Sequence, residues 1–306
     1  MNQSNQPLIS VIIPTFNDAR RIGDLLDSLL KQSFSSERFE IIVVDNNSQD
    51  NTTEVIASSY PGVICLSEKN KQSSYAARNT GIKAAKGEIL AFIDSDCIAH
   101  TDWLKNAYEA LQDGAIGMLG GKVQFYFSAE KTAAECYDAL TGMRNEWGIR
   151  HQGISTTANL IVRRHLFDQF GLFNEEVKSG GDVQWTGEAS KQGAIILFDP
   201  TVMVLHPART LSQLIKKNQR TGKGRPHIWV QQGKSLWQPR DFLRAFLPKP
   251  VNYVRELINQ SEHPDFEERL FSIWAVASVC SMVFHWSALQ EAWRIKRTRD
   301  GGANGS

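Results

Sequence analysis

The chain is 306 residues long, enough for one large domain or one domain with an appendage. Its 34 Lys and Arg stand against 33 Asp and Glu, a balance that argues against a nucleic-acid binder. Four widely spaced cysteines, Cys65, Cys97, Cys136 and Cys280, form no CxxC pair, which argues against thiolate metal sites and disulfide frameworks and fits a reducing cytosol.

Met1 to Pro7 is polar, and the apolar run after it has only a strand's length. No signal peptide is expected, and residues 1–7 are read as flexible. Leu8 to Thr15, rich in Ile and Val, predicts a buried first strand. Asn17 and Asp18 can cap the helix that Ile22, Leu25, Leu26, Leu29 and Leu30 predict over Ala19 to Lys31. Phe39 to Val44 predicts a second strand. The polar cluster Asp45 to Asp50 follows it, leading into a helix from Asn51 to Ser59. Val63 to Leu66 reads as a short third strand, and Ser73 to Ala85 as a helix closed by Lys86-Gly87. A buried strand then runs from Ile89 into Asp94-Ser95-Asp96.

This alternation predicts an α/β fold with a mainly parallel, doubly wound sheet and helices on both faces. Thr15–Asp18, Asp45–Asp50 and Asp94–Asp96 then fall on one sheet edge, where such folds bind ligands. In an extended chain Asp94 and Asp96 share a face and could hold Mg²⁺ or Mn²⁺. On the residues alone, a capping turn remains an equal reading, and the same holds for Asp45.

From His100 the pattern turns mixed. Helices are expected over Asp102–Gln112, Thr132–Trp147 and Gln184–Gln192, with a short turn or helix over Phe167–Phe173. Strands are expected over Met118–Phe127, Ser155–Val162, Ala194–Phe198 and Thr201–Leu205, the last ending at His206. Gly222-Lys223-Gly224-Arg225 lacks the first glycine of a P-loop and reads as a mobile basic loop able to close over a diphosphate. Arg240 to Leu247 suits an interfacial or packed helix. Phe271 to Leu289 is about long enough to span a membrane, but Ser272, Ser278, Ser281, His285 and Ser287 dilute it. With the basic flank Arg294, Lys296, Arg297 and Arg299, it ranks as a membrane-contacting or packed helix above a span. Residues 301–306 are read as a disordered tail.

Four motifs then stand in order: Ser10-Val11-Ile12-Ile13-Pro14-Thr15-Phe16-Asn17, Val43-Val44-Asp45-Asn46-Asn47-Ser48, Ala77-Arg78-Asn79-Thr80-Gly81-Ile82 and Asp94-Ser95-Asp96. Together they resemble a GT-A-fold glycosyltransferase of family 2. The resemblance covers 8–220, divided into a nucleotide-binding half (8–99) and an acceptor half (100–220), and leaves a helical extension over 221–300.

The resemblance implies inverting transfer of a sugar from a nucleotide-diphosphate donor to an acceptor hydroxyl. It implies donor contacts from Pro14, Thr15, Asn17, Asp45, Asn46, Arg78, Asn79, Asp94 and Ser95. It also implies Mn²⁺ or Mg²⁺ held by Asp94, Asp96 and His206, with Asp182 as general base. Trp185 and Gly181 are expected at the acceptor, Trp185 either against a sugar face or in the core.

The chain departs from the pattern in three places. Asn46 replaces a second acid, Lys69 to Ser74 lacks the usual glycine, and Gly181 replaces a Glu before Asp182. The processive motif is absent, so single transfer is expected. Polysaccharide or glycolipid synthesis and a saccharide or lipid-linked acceptor complete what the resemblance implies, while the cysteine usage and the C-terminal helices with their basic flank predict a cytosolic protein partly on the inner membrane face. A non-catalytic sugar-nucleotide-binding scaffold is the main alternative. A nucleotidyltransferase or dehydrogenase lacks its glycine-rich loop after the first strand.

Overall fold

A computed structural model of the protein describes residues 7–177, 179–231, 233–236 and 239–302. The elements are β1 (Ile9–Thr15), α1 (Ile22–Leu30), β2 (Phe39–Asp45), α2 (Thr52–Ser59), β3 (Ile64–Ser67), α3 (Ser74–Ala84), β4 (Ile89–Ile93), β5 (Ile98–Ala99) and α4 (Trp103–Ala110). There follow β6 (Ile116–Tyr126), α5 (Ala133–Thr141), α6 (Asn145–Gln152), β7 (Asn159–Arg163), α7 (His165–Phe170), α8 (Gly181–Lys191), β8 (Ile195–Pro207), α9 (Leu211–Gln231), α10 (Pro239–Arg244), α11 (Val251–Asn259) and α12 (Leu270–Gly302). Two compact units result: residues 7–126 with 143–207, and 127–142 with 208–302.

The first unit is one sheet in the order β3-β2-β1-β4-β7-β6-β8-β5. β1, β2, β3 and β4 run parallel, as do β6 and β8, while β7 and β5 pair antiparallel with their neighbours. Alternation of side chains along the buried strands makes two cores. Val11, Ile13, Val43, Ala91 and Ile93 pack against Leu25, Leu26, Ile56, Trp103 and Leu104 from α1, α2 and α4. Ile12, Ile42, Val44, Leu90 and Phe92 pack against Ala77, Ile82, Phe167 and Trp185 from α3, α7 and α8. Each fully buried Leu, Ile or Phe contributes roughly 1.5–3 kcal/mol, so both helical layers are held chiefly by these faces. The sheet is thus doubly wound, as the alternation predicts.

The second unit packs α5, α11 and α12 around Cys136, Leu140, Val254, Ile258, Phe266, Leu270, Ile273 and Ala277, with Leu214 of α9 against Ala134 and Cys280. Asp138 is fully buried in it, accepting from Arg209 N and Nη1 at 3.1 Å and from Lys217 Nζ at 3.3 Å. Burial raises this carboxyl, but Lys217 and Arg209 outweigh it and hold Asp138 below the usual carboxylate value.

Several expectations need correction. The predicted helix over Thr132–Trp147 is two helices, because the chain breaks at Gly142 and Met143, the latter at φ 39°. The two short strands before His206 are one strand, β8. Gly222-Lys223-Gly224-Arg225 is no loop: it lies inside α9. A Cβ at Gly222 would strike the Phe284 carbonyl, so this glycine serves close helix packing. Asn17 and Asp18 provide no side-chain cap for α1, which begins only at Ile22. Gly301 and Gly302 belong to α12, while 1–6 and 303–306 lie outside the described residues. By length and composition, Pro264–Thr298 could cross a membrane, yet 44% of its most apolar window is buried in the protein.

Candidate active site

The carboxyl ends of β1, β2 and β4 carry three of the four motifs, and α3 carries the fourth. Register sets Thr15 beside Asp45, and the loops beyond them knit together: Asn46 N donates to Thr15 O at 2.8 Å, Asn17 N to Ser48 Oγ at 2.8 Å, and Gln49 N to Asn17 Oδ1 at 2.7 Å. Pro14 sits within β1 opposite Val44. Asp45 accepts from Ser48 N at 3.1 Å, so it does cap its turn. The Asn46 amide donates inward to Glu68 O (2.9 Å) and Lys71 O (2.8 Å), anchoring the 68–72 loop. Thr15 is buried, and its Oγ1 finds no partner among the described residues.

β4 stops at Ile93, and Cys97 N donates to Asp94 O at 3.1 Å, closing a turn. The shared-face expectation for Asp94 and Asp96 therefore fails, since the chain is no longer extended there, and the turn delivers them to different partners. Asp94 pairs with Arg78 Nη2 at 2.5 Å; Arg78 is buried and its Nε has no partner among the described residues. Ser95 Oγ donates to Asp18 Oδ2 at 2.6 Å, and Arg21 bridges Asp18 (Nε, 2.7 Å) and Asp96 (Nη1, 3.2 Å). Burial raises the Asp18 carboxyl, and its bonds to Ser95 and Arg21 offset this only in part.

Asp96 Oδ1 lies 3.6 Å from His206 Nε2. The His206 Nδ1–H donates to Pro207 O at 2.7 Å, because a carbonyl can only accept, and this orients the ring with Nε2 toward Asp96. Ligand atoms of Asp96, Cys97 and His206 all lie within 4.8 Å of one another, a donor set that fits a divalent cation.

Asp182 sits in the first turn of α8, which Gly180 opens at φ 80°. Its carboxylate is nearly buried and accepts from Tyr75 Oη (3.0 Å), Val183 N (3.0 Å), Thr157 N (2.9 Å) and Thr157 Oγ1 (3.2 Å). Burial first, then the Asp182 charge, pushes the Tyr75 phenol far up, so it stays a donor. The Gly181 position abuts the Tyr75 ring, 3.0 Å from where a Cβ would stand. Trp185 is a core residue, not an open platform: it stacks on Phe167 with centroids 4.4 Å apart and donates Nε1–H to Gly171 O. Asn79 brackets the chain near Phe173, its amide bonding Phe173 N, Phe173 O and Glu175.

Sequence reasoning misses Asp18, Arg21, Tyr75, Cys97 and Thr157 as site residues. Tyr75 is within its reach, since it stands one helical turn before Arg78 and shares its face. Cys97 adjoins Asp96, but with no paired cysteine it carries no thiolate-site signal. Thr157 carries no sequence signal.

A family model described as Glycosyl transferase family 2 matches residues 10–171. Over 290 residues the chain is 36% identical to Glycosyltransferase AglE of Haloferax volcanii, covering 91% of this chain and 94% of the relative. It is 33% identical over 117 residues to the poly(ribitol-phosphate) beta-N-acetylglucosaminyltransferase TarP of Staphylococcus aureus, 37% of this chain and 36% of that one. Among solved structures, the mannosyltransferase PcManGT from Pyrobaculum calidifontis, in complex with GDP-Man and Mn²⁺, matches with a TM-score of 0.57 at 20% identity, over 98% of this chain and 81% of that one. S. aureus TarS 1-349 in complex with UDP-GlcNAc matches with a TM-score of 0.54 at 19% identity, over 94% and 92%. These neighbours share the GT-A fold. With a family model matching more than half its length, and with that relative along nearly all of it, the chain belongs to glycosyl transferase family 2, and it is a glycosyltransferase.

Proposed function

We propose that the protein transfers a sugar from a nucleoside-diphosphate donor to an acceptor hydroxyl, with inversion and one sugar per encounter. The observation that carries this is the open polar set at the sheet edge: Asp96 beside His206, with the buried Thr15 Oγ1 and Arg78 Nε left without partners among the described residues. Buried polar groups are ordinarily satisfied, so such atoms fit a site that a ligand completes. The complexes of PcManGT with GDP-Man and of TarS with UDP-GlcNAc support a nucleotide-sugar donor.

Asp96 and His206, with Asp94 nearby, would hold Mn²⁺ or Mg²⁺. The cation would neutralise charge developing on the leaving diphosphate. Thr15, Asn17, Asp45 and the segment around Asn46 meet the nucleotide, from the half spanning 8–99. Arg78, held by Asp94, supplies fixed positive charge. Asp182, in the half spanning 100–220, removes the acceptor hydroxyl proton as that oxygen bonds the anomeric carbon and the nucleoside diphosphate departs. Two of the four donors to Asp182 are hydroxyls, which rotate; Thr157 or Tyr75 can yield its place to the acceptor hydroxyl.

The acceptor is a saccharide or lipid-linked saccharide. In the extension, Phe242, Leu243, Phe246, Leu247, Trp286 and Trp293 are exposed, and with Arg244 and Arg297 they suit peripheral contact with an anionic cytoplasmic leaflet.

The test is a melting-temperature screen of nucleotide sugars with Mn²⁺, followed by release of nucleoside diphosphate. One donor should raise the melting temperature and be turned over. Binding without turnover on any acceptor class would favour the scaffold alternative.

A further inference from the structure

We propose that Cys97 is a thiolate ligand of the cation site, so that the site also takes a borderline-soft divalent metal of the Zn²⁺ class in competition with the hard cation. This rests on the reading of Asp96 and His206 as metal ligands. Carboxylate oxygen, imidazole nitrogen and thiol sulfur converge within 4.8 Å. Mg²⁺ and Mn²⁺ prefer oxygen, whereas one oxygen, one nitrogen and one sulfur suit Zn²⁺ or Co²⁺, leaving a fourth tetrahedral position open. The ring of His206 is fixed by Pro207 O with Nε2 turned toward the carboxylate. Cys97 stands on the same turn as Asp96, held by Cys97 N donating to Asp94 O, so backbone geometry delivers both ligands together. On binding, the S–H bond breaks, a sulfur–metal bond forms, and the proton goes to solvent. Zn²⁺ so held would block the position that the hard cation needs.

Chelator-stripped full-length protein is titrated anaerobically with CoCl₂. A near-ultraviolet thiolate-to-cobalt charge-transfer band should grow to saturation and be erased by ZnCl₂. It should persist in Cys65→Ser, which removes the exposed cysteine, and vanish in Cys97→Ser. Zn²⁺ affinity of Cys97→Ser should fall by at least the ~10-fold that even an outer-sphere loss costs, while Mn²⁺ binding, read by electron paramagnetic resonance, remains. Mn²⁺ binding without the band, or a band surviving Cys97→Ser, overturns the inference and leaves the hard-cation reading standing. If the wild type binds neither metal, both readings fall. Should Cys97→Ser not fold, alkylation of the wild type decides: Zn²⁺ must protect Cys97 in the mass spectrum, and absence of protection overturns the inference.

Discussion

Two carboxylate clusters in this molecule solve opposite problems. Asp138, in the second, helical unit, is 0% exposed and closed on itself by Arg209 and Lys217. Asp94 and Asp96, after β4, are 27% and 21% exposed, touched by Arg78 and Arg21, with unpartnered polar atoms alongside among the described residues. A closed set of charges is a staple, since its electrostatic demand is met from within. We read the incomplete set at the sheet edge as a receptor, because buried polar groups are ordinarily satisfied and a ligand would supply what is missing. Basic partners alone do not distinguish the two; completeness and exposure do.

The sharpest test of that contrast is Asp96→Asn. It should abolish Mn²⁺ binding and cut transfer at least ~10³-fold, while the melting temperature stays near wild type. Metal binding is read by electron paramagnetic resonance, turnover by nucleoside-diphosphate release. Activity indifferent to EDTA would break the contrast at its receptor end. Asp182→Asn should lose ~10²- to 10⁴-fold in transfer with donor and Mn²⁺ affinity intact, as calorimetry would show; near-normal turnover would put the base elsewhere.

Asp138→Ala should do the reverse. Leaving the half-buried Arg209 and Lys217 without their counter-charge should cost about 1–3 kcal/mol in denaturant unfolding, without touching donor affinity of the folded protein. The sign with pH follows from the depressed carboxyl. The stabilisation by Asp138 is complete above its unfolded value of about 3.9 and is lost as pH falls through the lower folded value. Acid titration of unfolding should lose this component in Asp138→Ala. The smallest effect is expected from Tyr75→Phe: it frees one lone pair of Asp182 and should slow transfer about tenfold, equivalent to ~1.4 kcal/mol, with the Km for donor unchanged.

Much of the receptor is legible in the sequence, because strands that end in polar runs are local signals. Thr15, Asp45 and Asp96 all come to the carboxyl edge that the alternation predicts. What is illegible depends on contacts distant in sequence. Tyr75 meets Asp182 across 107 positions, and Trp185 is claimed by Phe167 and Gly171. Only the shared-face geometry of Asp94 and Asp96 fails, and for a local reason, since a strand's last residue cannot be fixed to within one position and that argument needs an extended chain through Asp96. Gly222 to Arg225 misleads by composition: glycine and basic residues suggest a loop, yet a glycine lets α9 approach the Phe284 carbonyl.

The Asn46 clamp has an evolutionary consequence. Its amide grips the main-chain oxygens of Glu68 and Lys71, and Gln72 Nε2 returns a bond to Asn46 O at 2.8 Å. None of these bonds uses the side chains of Lys69 or Asn70, both exposed. The loop's shape is thereby decoupled from its chemistry at those two positions. Drift or directed evolution can sample new residues there without renegotiating the fold.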